Sequence, residues 1–218
     1  MLIQSVAPIL FFFLSQLKGP SDINRVKDQF VVAKEISLEN RYDNKFVNDV
    51  FKDNILLNIA YMSGKISNKS DINWNNIEKP FNYKFTLLPA KTFAFHDDVL
   101  PQYKDSVAIT TKSNFNFQDG FKSDGYLTGD GVCHLASLIY WAAKAANLET
   151  YAPRNHDFAR IPQIDREYGV AIYKMPGQTQ SNELQNLYVT NNRQNPVVFE
   201  FDYDGKNLKL SILEIKSH

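Results

Sequence analysis

Cysteine is nearly absent from this 218-residue chain, with Cys133 its only example. A lone cysteine cannot close an intrachain disulfide, so the stapled scaffolds of small secreted domains are excluded. The chain is long enough to bury an ordinary hydrophobic core without such staples, and one domain is the expectation. Net charge is missing as well: Lys plus Arg and Asp plus Glu both total 24. No whole-molecule field then draws the chain to nucleic acid or another polyanion, and neither is expected as a partner. Gly and Pro number only nine each, and no repeat or low-complexity stretch is visible. The sequence also lacks a long apolar run. Residues 2–17 come nearest, centred on Ile9, Leu10, Phe11, Phe12, Phe13 and Leu14 and closed by Lys18, Gly19 and Pro20. That run is shorter than the roughly 20 residues of a spanning helix, is broken by Gln4, Pro8 and Gln16, and has no basic flank. It reads as a signal or membrane anchor over residues 1–20, which implies export to the cell surface and contact with a membrane. The competing reading is a buried first element. Residues 21–218 then form a single domain.

What is present is aromatic and strand-forming: sixteen Phe and eleven Tyr. Residues 29–38 alternate as a half-buried strand. From Lys45 to Met62 apolar residues recur at spacings of three and four, with Asn44 as cap and Gly64 as stop, which predicts a helix. Residues around Trp74 read as a polar loop. Tyr83, Phe85 and Leu87 alternate as a strand, and residues 92–95 and 107–111 add extended pieces. His96 with Asp97 and Asp98 reads as a solvated turn. Residues 132–147 (VCHLASLIYWAAKAAN) are rich in Ala and Leu and predict the surest helix. Strands are expected at 169–173, 184–190, 196–203 and 208–215, the last two joined by a turn at Asp204 and Gly205. The fold class is therefore α+β, an antiparallel sheet packed against one or two helices.

Cys133 falls in the first turn of that helix, after Gly129, Asp130 and Gly131, where backbone N–H groups are exposed. The helix dipole offers an anion about 0.3 to 1 kcal/mol, less than the roughly 2 kcal/mol needed to bring a thiol from about 8.5 to 7. A base must add the rest. His134 is adjacent on the helix and should point about 100° away, so His156, in the following loop with Asn155, is the better partner. Asp165 or Glu167 could then orient its imidazole; both stay open. These residues define a candidate catalytic set of Cys133, His156 and Asp165 or Glu167, in an order shared with papain-like and transglutaminase-like hydrolases by analogy alone. The plain alternative is that Cys133 is a small core residue and that both histidines satisfy loop carbonyls. A zinc site from Cys133, His134 and His156 lacks paired-ligand spacing, and no cofactor is expected.

The stretch GDGVCHLASLIYWAAKAANLE resembles the glycine-rich segment, cysteine and Ala-rich helix of the VanW family. The segments DNILLNIAYMS and LLPAKTFAF resemble its upstream helix and proline-turn strand, and residues 184–215 its closing strands, so that about residues 45–215 are covered. The chain departs from the family pattern in having His134 after the cysteine in place of Gln, and Asp157 after His156 in place of Ser. The resemblance implies a cell-envelope setting, the family being named from vancomycin-resistance gene clusters, and no established chemistry. Two functions follow as expectations. The leading one is a binding or accessory module for peptidoglycan or another wall polymer or peptide, with Gly129, Asp130, Gly131, His134 and Asn155 as binding residues. The alternative is a cysteine-dependent hydrolase or transferase acting on wall-peptide amides or esters.

Overall fold

The computed structural model of the chain describes residues 27–125 and 128–216. The apolar run at residues 1–20, and the anchor reading attached to it, lie outside the described residues. Among these residues no helix is long and apolar enough to cross a membrane.

The architecture is α+β, as the order of helical and strand patterns implies. Four long strands, β1 (Lys27–Ser37), β2 (Phe81–Leu87), β7 (Val197–Tyr203) and β8 (Asn207–Lys216), form an antiparallel sheet in the order β1-β8-β7-β2. A second sheet of three-residue strands runs β4 (Val107–Ile109), β3 (Thr92–Ala94), β6 (Tyr188–Thr190), β5 (Glu149–Tyr151), with β3 and β4 parallel. The single antiparallel sheet of the sequence reading is thus two sheets, one of them mixed. Helix α3 (Val132–Ala145) packs on β1 and β8 of the first sheet, on β5 of the second, and on α1 (Lys45–Met62). Its small residues Ala136, Ala142 and Ala143 are fully buried, which lets the helix backbone lie close to its neighbours.

Helix α1 starts where its cap signal lies: Asn44 Oδ1 accepts from the Phe46 N–H at 2.9 Å. It stops at Ser63, with Gly64 left-handed just beyond. Val50, Ile55, Ile59 and Met62 are buried on its apolar face, but Phe46, expected with them, is exposed because the first turn projects past the core.

The closing hairpin turns at Asp204 and Gly205. Asp204 Oδ1 accepts from the backbone N–H of Lys206 and of Asn207, both at 2.7 Å. Alternation places Phe199, Phe201 and Tyr203 on the buried face. Phe199 stacks on Phe85 of β2 at 4.8 Å between centroids. On the other face Glu200 pairs with Lys84 at 2.9 Å and Asp202 with Lys209 at 3.5 Å.

Several expectations are corrected. Residues 169–173 form no strand, and in 184–190 only Tyr188–Thr190 pairs. The loop around Trp74 contains a short helix, α2 (Trp74–Ile77), while β5 and α4 (Thr179–Asn182) carry too few residues to show a period. His96 is not a solvated turn residue. It is buried, its Nε2 donates to the Gln185 carbonyl at 3.1 Å, and its Nδ1 accepts from Asn186 Nδ2 at 3.2 Å. Burial pushes its pKa down to about 4, so it is neutral at physiological pH.

Because Phe199 is fully buried in a stacked aromatic layer, Phe199→Ala is expected to destabilise the fold by about 3–5 kcal/mol in urea melts. Asp202→Ala should change stability by no more than about 0.5 kcal/mol, its ion pair being half exposed. Equal midpoints for the two variants would show that the aromatic face is not part of the core.

Candidate functional site

The site is built where the loop before α3 meets α1. Asn54, fully buried on α1, holds that loop through three hydrogen bonds: its Nδ2 donates to the carbonyls of Lys122 at 3.0 Å and Asp130 at 2.8 Å, and its Oδ1 accepts from the Lys122 N–H at 2.8 Å. The neighbouring Asp53 pairs with Lys122 Nζ at 2.5 Å. Two glycines let the backbone fit. Gly131, the cap of α3, has φ +99°, and a Cβ there would lie 2.6 Å from the Phe51 carbonyl oxygen. Gly129 has φ +90° and would meet the Phe115 carbonyl oxygen at 2.9 Å. No L side chain suits either position.

A cavity of about 400 Å3 opens beside this turn. Its walls bring together six of the residues singled out from the sequence: Gly129, Asp130, Gly131, Cys133, His134 and His156. Asn155, the other candidate binding residue, is exposed and is not part of the walls. Asp165 and Glu167 are both exposed at the 3-10 turn Arg166–Tyr168, outside the cavity walls, and Glu167 hydrogen-bonds Tyr168.

Cys133 is engaged by backbone. Its Sγ accepts from the Ile172 N–H at 3.3 Å and its S–H faces the Ile172 carbonyl at 3.5 Å. One turn on, Ser137 Oγ donates to the Cys133 carbonyl at 2.7 Å and accepts from the Val170 N–H at 2.9 Å. The segment therefore runs along α3 with its backbone N–H groups satisfied by helix side chains, by the Arg154 carbonyl for Ala171 and by the Gln185 carbonyl for Tyr173. This is the physical reason that residues 169–173 are extended without being a strand. Desolvation, the largest influence, pushes the Cys133 thiol up to about 11, the Ile172 N–H only partly opposing it. The expectation of a thiol activated below 8.5 is reversed.

The two histidines are held by different partners. His134, buried, accepts at Nδ1 from Arg41 Nη1 at 3.0 Å, while Arg41 Nη2 donates to the Pro162 carbonyl at 3.2 Å. Desolvation first, then the Arg41 charge, holds His134 well below the ordinary imidazole value. His156 Nδ1 donates to the Ala159 carbonyl at 3.1 Å, its ring lies 4.0 Å from that of Phe158, and burial lowers its pKa. The position of the orienting acid is thus filled by a loop carbonyl. Among the described residues no hydrogen bond joins the Cys133 thiol to His156, and no three His, Cys, Asp or Glu side chains are gathered as a metal site.

Sequence reasoning missed Arg41, Tyr42, Phe51, Tyr173 and Lys174. Arg41 and Tyr42 sit in an irregular link between β1 and α1 that carries no period, and only the fold brings them under α3. Lys174 reaches Asp97 and, at 2.7 Å, Asn114 Oδ1.

Residues 83–213, more than half of the chain, match the family model described as VanW like protein. No curated protein and no solved structure matches.

Cys133 is half-buried and lines the cavity, and its raised pKa leaves little thiolate, so the native thiol is expected to alkylate slowly at pH 7 and faster once the protein unfolds. A thiol whose folded pKa is raised from the ordinary 9.0 to about 11 contributes stability that is present below about pH 9 and lost as pH rises to 11. Cys133→Ala should remove that slope from stability measured against pH; rapid alkylation of the native thiol at pH 7 would contradict the raised pKa. Gly131→Ala, forced to left-handed φ against the Phe51 carbonyl, should lower stability by about 1–3 kcal/mol and a thermal melt unchanged from wild type would refute the clash.

Proposed function

We propose a function from one premise: this chain belongs to the VanW-like family. The reading is a cell-envelope binding module whose cleft at the start of α3 receives a segment of a wall polymer or its peptide. One observation carries it. The cavity is bordered by exposed apolar side chains, Phe158 at 72 %, Tyr173 at 39 % and Met175 at 38 %, while the thiol beneath them is bound to backbone and desolvated. Aromatic surface left in water at the mouth of a cavity is what a binding site offers a ligand. A volume of about 400 Å3 suits one or two peptide residues or a single sugar.

The alternative, acyl transfer by Cys133, requires a thiolate and a base in hydrogen-bond reach. Both bonds to Ile172 and the raised pKa of the half-buried thiol weigh against it. Export supports the binding reading and rests on the apolar run at residues 2–17 and on the family's envelope setting.

Purified peptidoglycan sacculi should retain the protein in a sedimentation assay. Phe158→Ser and Tyr173→Ser should each weaken retention several-fold, in line with the roughly 1–2 kcal/mol that an aromatic contact supplies. Cys133→Ser should be retained like wild type and should leave the sacculi chemically unchanged, as wild type does. Release of wall peptides by the wild type but not by Cys133→Ser would overturn the binding reading in favour of the enzyme.

A further inference from the structure

The hydrogen bonds of the two cavity histidines fix which ring nitrogen carries the proton. A guanidinium only donates, so the His134 Nδ1 facing Arg41 Nη1 must be the lone-pair nitrogen, and in the neutral ring the proton sits on Nε2. A carbonyl only accepts, so the His156 Nδ1 facing Ala159 must be protonated, and Nε2 holds the lone pair. The rings are neighbours, 6.1 Å apart at 77°, and both line the cavity. The nitrogen left over from these bonds is Nε2 in both rings, a donor on His134 and an acceptor on His156.

We infer that His134 and His156 form a reader for one residue of an extended peptide, His134 Nε2–H donating to its carbonyl oxygen and His156 Nε2 accepting from its N–H. In an extended chain the N–H and C=O of one residue point to the same side, which is how paired strands exchange two hydrogen bonds. Two adjacent groups of opposite sense on one wall match that pattern. The acetamido group of an amino sugar presents its N–H and C=O in opposite directions and fits it poorly. The inference rests on the binding reading above and sharpens it, assigning the cleft to the peptide of the wall and not to its glycan. Neutrality is built in, since burial and the Arg41 charge both disfavour protonation of His134, and burial disfavours that of His156. Phe158, packed at a 45° tilt against His156, would then cover a neighbouring side chain of the peptide.

The charged and titratable groups around the pair are Arg41 behind His134, Tyr42 against its ring, Asp157 beside His156, and Asp130, Cys133, Tyr173 and Lys174 in the same cavity. Asp130, pushed up to about 6 chiefly by burial, also changes charge on acidification, so the acid arm of the test uses Asp130→Asn as background.

The test is an NMR titration of the protein with N-acetyl-trialanine amide, with tetra-N-acetylchitotetraose in parallel. The peptide should shift signals of the cleft residues. His156→Asn keeps a donor for the Ala159 carbonyl and removes the acceptor in the cavity, and should raise the peptide Kd tenfold or more. His156→Gln, which restores an acceptor near the Nε2 position, should recover most of it. In Asp130→Asn, peptide affinity should fall on acidification below the ordinary imidazole range, as His156 loses its lone pair. Peptide affinity unchanged by His156→Asn, binding of the glycan alone, or no binding of either probe would each overturn the inference. Sacculi retained equally by wild type and His156→Asn would sink this inference and leave the wall-binding reading standing. Peptide binding that depends on His156, with no retention on sacculi, would do the reverse.

Discussion

Asn54 has its whole side chain withdrawn from water and bonded to the backbone of the loop that precedes α3. A buried polar group left without its partner costs about 1–3 kcal/mol, a cost that the three bonds of Asn54 avoid on both sides. The loop and α1 therefore have one mutual arrangement. That arrangement brings Gly131 against the Phe51 carbonyl, sets the first turn of α3, and through it places Cys133 and His134. The cavity follows from this: its floor is the α3 start, its far wall the segment laced to α3 by Cys133 and Ser137.

Elements long enough to show a period were legible in the sequence. Helix α1 carries five turns of apolar spacing between an Asn cap and a Gly stop, and its bounds fall where the pattern places them. The closing hairpin is similarly self-evident, because Phe199, Phe201 and Tyr203 alternate up to an Asp-Gly turn. A three-residue strand such as β5 carries no detectable period, and its pairing is decided by tertiary contacts. Residues 169–173 show the limit from the other side. Their apolar character is real, but their backbone partners are a thiol and a hydroxyl on a helix, which no periodicity encodes.

The site was legible as a place and less so as a chemistry. The glycine-flanked turn and Cys133 identify the cavity, and the first-turn position is where it was expected. What sequence spacing does not reveal is the partner of each polar atom. Proximity to a helix start favours a thiolate by under one pKa unit, whereas loss of solvent acts in the opposite direction and is larger, as the shift to about 11 shows. Likewise an acid a few residues past His156 looks available along the chain, yet Asp165 and Glu167 lie on an exposed turn while the Ala159 carbonyl accepts from the imidazole N–H.

Arg41 gives this arrangement its direction. Its guanidinium is largely withdrawn from solvent, with Nε unpaired among the described residues, and desolvation lowers its pKa to about 10. A buried cation with that little compensation is retained at a price in stability, and its two contacts go to the His134 Nδ1 and the Pro162 carbonyl. Placed there, the charge adds to burial in keeping His134 neutral and fixes its tautomer. A lysine would supply the charge without the fork that reaches both partners. A half-buried guanidinium, a buried amide and two left-handed glycines together hold the polar groups of this turn in one arrangement beside an apolar mouth.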